Sequence, residues 1–314
     1  MDVLLLIIGL ALILGGANFL TDGASALAQR LHMPEFLIGL TIVAIGTSMP
    51  EMVVSVISSI NGQPDMAIGN VVGSNIFNIF LILGMCAVVR PIAFTKTNIR
   101  FDIPFGVAAS VLLIVLALDT VIGTGPIDSI SRFDGGLMFL LYVALMIYTI
   151  RTAERPTESE SDKKPMAVWL MTVMILGGLG GLIFGGELFL DSATKLARAM
   201  GISESVIAIT LVAGGTSLPE LASSIVSLVK GKADMALGNV VGSNIFNILG
   251  ILGVASLINP LTMGGITPRD LFVVLLSAVL VFLSAFTFRR QTLDRTEGVL
   301  FLAICAGYVY LLVA

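Results

Sequence analysis

The chain is poor in the side chains that do chemistry in water. Charged residues fill 12% of its 314 positions, about half the share of an ordinary soluble domain (~25%). Its one histidine, His32, lies in a short connection, and its two cysteines, Cys86 and Cys305, lie inside apolar runs. No Cys/His cluster has metal-ligand spacing, so nothing suggests a zinc site, and the thiols read as buried and reduced. There is no Ser/His pair and no paired membrane aspartates, which argues against an intramembrane hydrolase or any other enzyme. The 17 basic residues are dispersed in a chain of net charge −4, which argues against nucleic-acid binding. The only sizeable hydrophilic segment is RTAERPTESESDKKP, from Arg151 to Pro165, which has no room for a folded soluble domain.

Apolar surface is what the chain has in abundance. It is 56% hydrophobic, with a mean hydropathy of +1.02, the composition of a polytopic membrane protein. The 33 glycines fit, because small residues let membrane helices approach closely. The first run, Val3 to Leu20, has no basic leader and reads as a retained helix, not a cleaved signal. With about 20 residues needed per span, ten candidates emerge: 3–20, 36–60, 66–89, 103–121, 135–151, 167–190, 203–229, 235–258, 270–288 and 297–313.

The chain also repeats itself. Residues 46–84 and 215–253 align without a gap, 25 of 39 positions being identical, and GNVVGSNIFNI occurs verbatim from Gly69 and from Gly238. Weaker matches extend upstream: Asp22 with Asp191, Leu27-Ala28 with Leu196-Ala197, Thr41 with Thr210. Each copy covers about five spans. Five is odd, so the second copy enters the membrane the other way up, as in the inverted repeats of secondary transporters. The fold class expected is all-α integral membrane, ten helices in two inverted five-helix repeats. Residues 1–151 form the first repeat, 152–166 a cytoplasmic linker, and 167–314 the second repeat.

Basic residues orient the chain, because cytoplasmic loops carry excess Lys and Arg. With the N-terminus outside, 13 fall in cytoplasmic connections and only Arg132, Lys195, Arg198 and Arg269 outside. The loop NGQPD of the first copy becomes KGKAD in the second, gaining lysine on the side assigned to the cytoplasm. The expected location is the cell (inner) membrane, multi-pass, with both termini extracytoplasmic.

GTSMPE from Gly46 and GTSLPE from Gly215 place proline and glutamate deep in apolar runs. A carboxylate at the bilayer centre costs about 2.5–3.5 kcal/mol on insertion scales, and a proline inside a helix about 3 kcal/mol. Both costs recur at positions that inversion brings face to face, which marks a site. Freed carbonyls, hydroxyls and carboxylates are hard oxygens, the donors calcium takes six to eight of. Ser74 with Asn78, and Ser243 with Asn247, stand four apart and share a helix face. Each serine or asparagine could instead bond neighbouring backbone. Asn70, Asn75, Asn239 and Asn244 face elsewhere and are assigned mainly to helix packing and backbone satisfaction. Glycines 69, 73, 238 and 242 form small-xxx-small pairs. Asp65 and Asp234 read as helix N-caps, Asp22 and Asp191 lie near connections, and Glu187 lies at a pathway mouth or packs.

These doubled motifs resemble the two alpha repeats of the sodium/calcium exchanger family, in its compact prokaryotic form, along nearly the whole chain. The resemblance implies a diamond of ion sites built by the second, third, seventh and eighth spans. In it Glu51 and Glu220 are the carboxylates shared by calcium and sodium. Thr47 and Thr216 complete the calcium site through their carbonyls. Ser48, Ser217, Ser74 and Ser243, with the carbonyls of Ala44 and Ala213, serve sodium, and Asn78 and Asn247 complete the centre. The first and sixth spans are then a long tilted pair that slides across the core. Some relatives carry aspartate at the position of Asn247. Here both copies carry asparagine, which makes potassium coupling a poorer fit.

The resemblance also implies antiport, electrogenic at three sodium per calcium. Two carboxylates neutralise one calcium ion, and three sodium ions leave the cluster one positive. Calcium, sodium and the lipid bilayer are the expected partners; no cofactor is expected, the ions being cargo. The oligomeric state is not legible. A calcium/proton antiporter on the same scaffold is the alternative, because burial raises carboxyl pKa values; the paired serine oxygens favour sodium. An ion channel fits less well, since channels arrange pores about an axis along the membrane normal.

Overall fold

The computed structural model describes residues 1–123, 127–153, 166–201 and 213–313. The expected linker, the start of the seventh span and Thr210 lie largely or wholly outside those residues. The chain is helical. Its long elements are α1 (Asp2–Leu31), α2 (Glu35–Thr47), α3 (Met49–Ile60), α4 (Pro64–Val89), α5 (Asn98–Ala117), α6 (Arg132–Thr152) and α7 (Val168–Ala199). After them come α8 (Leu218–Val229), α9 (Ala233–Ile258), α10 (Pro268–Ser284) and α11 (Arg295–Val313). Seven are long and apolar enough to cross a membrane, and the pair α2/α3, bent by 48°, makes an eighth. The 17 residues of α10 and the 12 of α8 fall short of a full span by length alone.

Two compact bodies emerge, and each draws on both halves of the sequence. The first contains Met1–Thr47, Thr149–Gly242 and Ala303–Ala314; the second contains Ser48–Tyr148 and Ser243–Leu302. In the first body α1 lies along α7. These helices have 30 and 32 residues, about 45 Å at 1.5 Å per residue, well beyond a bilayer core of about 30 Å. The expected span 3–20 therefore continues eleven residues further, past Asp22. Glycine sets the seam between α1 and α7. A Cβ on Gly178 would lie 2.5 Å from the Leu20 nitrogen, and one on Gly16 would lie 2.7 Å from the Gly178 oxygen.

Connections assigned to one side by charge come together within each body. In the first, Lys232 bonds Glu35, Lys230 bonds Asp22 at 2.7 Å, and Arg30 reaches the Met166 carbonyl. In the second, β1 (Ile92–Ala93) pairs antiparallel with β4 (Thr292–Leu293), and β2 (Ser129–Ile130) with β3 (Leu261–Thr262). These two-residue ladders tie helix ends together and are the described strands. Small residues give close contact where expected in the second copy: a Cβ on Gly238 or Gly242 would strike the backbone at Phe36 or Leu40. In the first copy Gly69 meets only Ile266 among the described residues, and Gly73 meets nothing there.

Candidate functional site

The proline-glutamate motifs sit at helix breaks. The run 36–60, expected as one span, is interrupted at Ser48 (φ −83°, ψ 11°), and Ser217 has nearly the same backbone (φ −86°, ψ 7°). Pro50 and Pro219 follow in the first turns of α3 and α8. There a proline gives up no hydrogen bond and its fixed φ suits the helix, so the expected interior-proline cost is not incurred. A helix ending at Thr47 leaves carbonyls of its last turn, which include Ala44 and Thr47, without intrahelical donors. Ala44, Thr47 and Ser48 are buried, and so are Glu51 and Glu220, each 1% exposed. Ala213 lies in the turn Ala213–Gly215, and Thr216 is half-buried just after it.

The polar residues of the second motif form the same bonds twice. Asn70 Nδ2 donates to the Glu51 carbonyl (3.1 Å) and to Ser55 Oγ (3.0 Å). Its counterpart, Asn239 Nδ2, donates to the Glu220 carbonyl (3.4 Å), Ser223 Oγ (2.8 Å) and Ser224 Oγ (2.9 Å). These asparagines tie α3 to α4 and α8 to α9, the packing role expected of them. Asn239 does more, accepting from Thr47 Oγ1 at 3.2 Å, so in the first body it joins a residue of the first copy to the second.

In the second body the two copies meet through four asparagines. Asn78 Nδ2 donates to Asn244 Oδ1 (3.0 Å), and Asn247 Nδ2 donates to Asn75 Oδ1 (3.2 Å). Each bond is the other with the copies exchanged, the reciprocity of a two-fold contact. Ser48 Oγ also donates to Ser243 Oγ at 3.0 Å. In both copies the helix widens into a π-turn at this level, over Asn78–Leu83 and Phe246–Ile251. Such turns concentrate at functional sites.

These bonds decide which way the amides face. Because the Nδ2 groups of Asn78 and Asn247 are taken, their oxygens face away from the network. Both Oδ1 atoms are buried with no hydrogen-bond partner among the described residues, as are Ser74 Oγ and Ser217 Oγ. A buried polar atom without a partner costs about 1–3 kcal/mol, so these four, of which Asn78 and Asn247 hold matched positions, call for a partner of another kind. Oxygens that meet no donor suit a hard cation. No group of three His, Cys, Asp or Glu forms among the described residues, which leaves amide, hydroxyl and carbonyl oxygen as the neutral donors.

The second body thus gathers Ser48, Glu51, Ser74, Asn78, Ser243 and Asn247; Ala44, Thr47, Ala213, Thr216, Ser217 and Glu220 belong to the first. The sequence reading assigned Asn75 and Asn244 mainly to packing and backbone satisfaction, whereas they also orient Asn78 and Asn247. Their positions three residues before those asparagines in both copies of the repeat were the signal. Asp65 and Asp234 are first-turn residues inside α4 and α9 and not caps, where negative charge suits the positive helix end. Asp22 and Asp191 are engaged by Lys230 and Lys195. Glu187 is on the exposed face of α7.

Comparison with known proteins gives a consistent picture. The family model described as sodium/calcium exchanger protein matches residues 1–151 and 170–314. The sodium/calcium exchanger MaX1 of Methanosarcina acetivorans is 30% identical over 98% of this chain and 97% of its own length. The inner membrane protein YrbG of Escherichia coli is 36% identical over 88% and 86%. The structure of the sodium-calcium exchanger NCX_Mj soaked with 10 mM Na+ superposes with a TM-score of 0.84, at 33% identity, over 99% of this chain and 97% of that one.

Proposed function

The chain belongs to the sodium/calcium exchanger family, a family of membrane cation antiporters, and from that premise we propose that it exchanges sodium for calcium by alternating access. Glu51 and Glu220 supply the carboxylates that both ions use. The carbonyls of Thr47 and Thr216 complete the calcium coordination. Sodium takes Ser48, Ser217, Ser74 and Ser243 with the carbonyls of Ala44 and Ala213, and Asn78 and Asn247 turn their oxygens to the centre. The observation that carries this reading is the set of buried, partnerless oxygens on Ser74, Asn78, Ser217 and Asn247.

Exchange follows from charge. One calcium ion balances two carboxylates, and three sodium ions leave one net positive charge, so either loaded state crosses an apolar barrier more readily than a half-filled one. The stoichiometry of the reading is three sodium per calcium, with one net charge moved per cycle. The transporter has ten spans in two inverted halves, with both termini outside the cytoplasm. The reciprocal asparagine bonds and the joining of like-sided connections support that topology.

The test is radiocalcium uptake into proteoliposomes of the full chain, driven by an outward sodium gradient at fixed pH. Uptake should follow sodium, speed up under an inside-positive potential, which favours exit of the extra positive charge, and slow under an inside-negative one. Uptake that ignores sodium and follows a proton gradient would replace this reading with calcium/proton exchange.

A further inference from the structure

A cavity of about 360 Å³ opens between the start of α5 and the turn after α10, and Lys96, Arg100 and Arg290 line it. All three side chains are exposed, and none has an ion-pair partner among the described residues. The acids nearest in sequence are engaged by neutral donors. Asp102 accepts from Asn98 Nδ2 at 3.0 Å, Asp294 from the backbone of Thr296 and Glu297, and Glu297 from Thr287 Oγ1 and the Asp294 backbone. Three positive charges therefore share one small cavity without compensation from these groups.

The cavity is a built feature. The β1/β4 ladder joins its two walls. Phe94 N donates to the Gln291 carbonyl, and Gln291 N to the Ala285 carbonyl, both at 2.8 Å. Phe288 and Gln291 hold φ values of 34° and 58°, a region side-chain-bearing residues rarely enter and one found where function demands it. Apolar side chains share the lining. Ile99 and Phe286 belong to it, Phe286 is 57% exposed, and Phe101 and Phe288 are exposed nearby in sequence.

We propose that this cavity binds the phosphate of an anionic phospholipid, with Lys96, Arg100 and Arg290 on the headgroup and the first acyl carbons over Ile99 and Phe286. Arginine forks match phosphate oxygens, and basic pockets between membrane helices on the cytoplasmic side suit anionic headgroups. A soluble phosphate would use the same cations but gain nothing from exposed aromatic and aliphatic side chains at the ends of two membrane helices. The site shares no residue with the ion-binding oxygens and stands apart from their assignment.

Lipid retention measured by native mass spectrometry tests this, using the full chain titrated with phosphatidylglycerol or phosphatidylcholine. The wild type should bind phosphatidylglycerol selectively. The Lys96→Gln/Arg100→Gln/Arg290→Gln variant should bind it on the order of a hundredfold more weakly, at roughly fivefold per cation. Arg30→Gln/Arg151→Gln/Arg269→Gln should stay within about twofold of wild type, as should the charge-keeping Lys96→Arg/Arg100→Lys/Arg290→Lys within about fivefold. The charge-keeping variant separates loss of charge from loss of fold. Unchanged binding by the glutamine variant, equal binding of phosphatidylcholine, or displacement by glycerol phosphate at the lipid's own affinity would each overturn the lipid assignment. Because the readout is lipid and not ion flux, failure of the exchanger reading would leave the result standing.

Discussion

Replacing Asn244 by alanine should damage the protein in two measurable ways. The side chain accepts from Asn78 Nδ2 at 3.0 Å and donates to the Asn75 carbonyl at 3.2 Å. Two hydrogen bonds at about 1 kcal/mol each, with the buried Asn78 amide nitrogen left unsatisfied, give a loss of about 2–4 kcal/mol. Reversible chemical unfolding in detergent micelles measures that loss. The second effect is on ion binding, since Asn78 is then free to turn its NH2 toward the place its oxygen should occupy. Losing that preset orientation should weaken apparent calcium affinity about five- to tenfold in sodium-free binding assays. Asn75→Ala, which strips the acceptor from Asn247, should act on affinity in the same way. A double-mutant cycle between Asn78→Ala and Asn244→Ala isolates the pair, with an expected coupling of about 1 kcal/mol. Coupling below about 0.3 kcal/mol, or unchanged affinity in both single variants, would refute the orienting role.

Much of this was legible in the sequence because an internal repeat constrains so strongly. Two copies of five spans forced the expectation that Glu51 and Glu220 share a depth, and the lysines of KGKAD set the orientation expected for the chain. The membrane character, the helical class and the exchanger family followed from residues alone. Other features were not legible because they depend on backbone detail. Pro50 looked like an interior proline because the break at Ser48 lies in ψ, which no residue pattern announces. The division of labour among the six asparagine positions of the two motifs turns on which amide face is already taken, a property of cross-helix geometry. The helix ends slid for a similar reason: α1 runs on through Asp22, which Lys230 just after α8 engages, a contact no local window contains.

Further expectations follow from the same geometry. Glu51→Gln or Glu220→Gln keeps shape but removes half the carboxylate charge. Each should abolish sodium-driven calcium flux, by more than about a hundredfold at ~3–5 kcal/mol for a broken buried charge pairing, while the purified protein stays folded; full transport by either would sink the site assignment. Gly178→Ala should destabilise by about 1–3 kcal/mol, because its methyl meets the Leu20 backbone with nothing flexible to yield, whereas Gly177→Ala, which faces open space, should be tolerated in the same unfolding assay. Pro50→Ala tests the helix break itself. In a first turn the ring contributes little beyond its fixed φ, so the change in stability should stay under about 1 kcal/mol. The new N–H, however, can now bond a carbonyl of the preceding turn and favour a straight helix through Ser48. Calcium flux should therefore fall severalfold while the fold persists, and Pro219→Ala should do the same. A loss of stability near 3 kcal/mol with normal flux in the surviving protein would mean that the proline holds the fold and that the break has no part in ion binding.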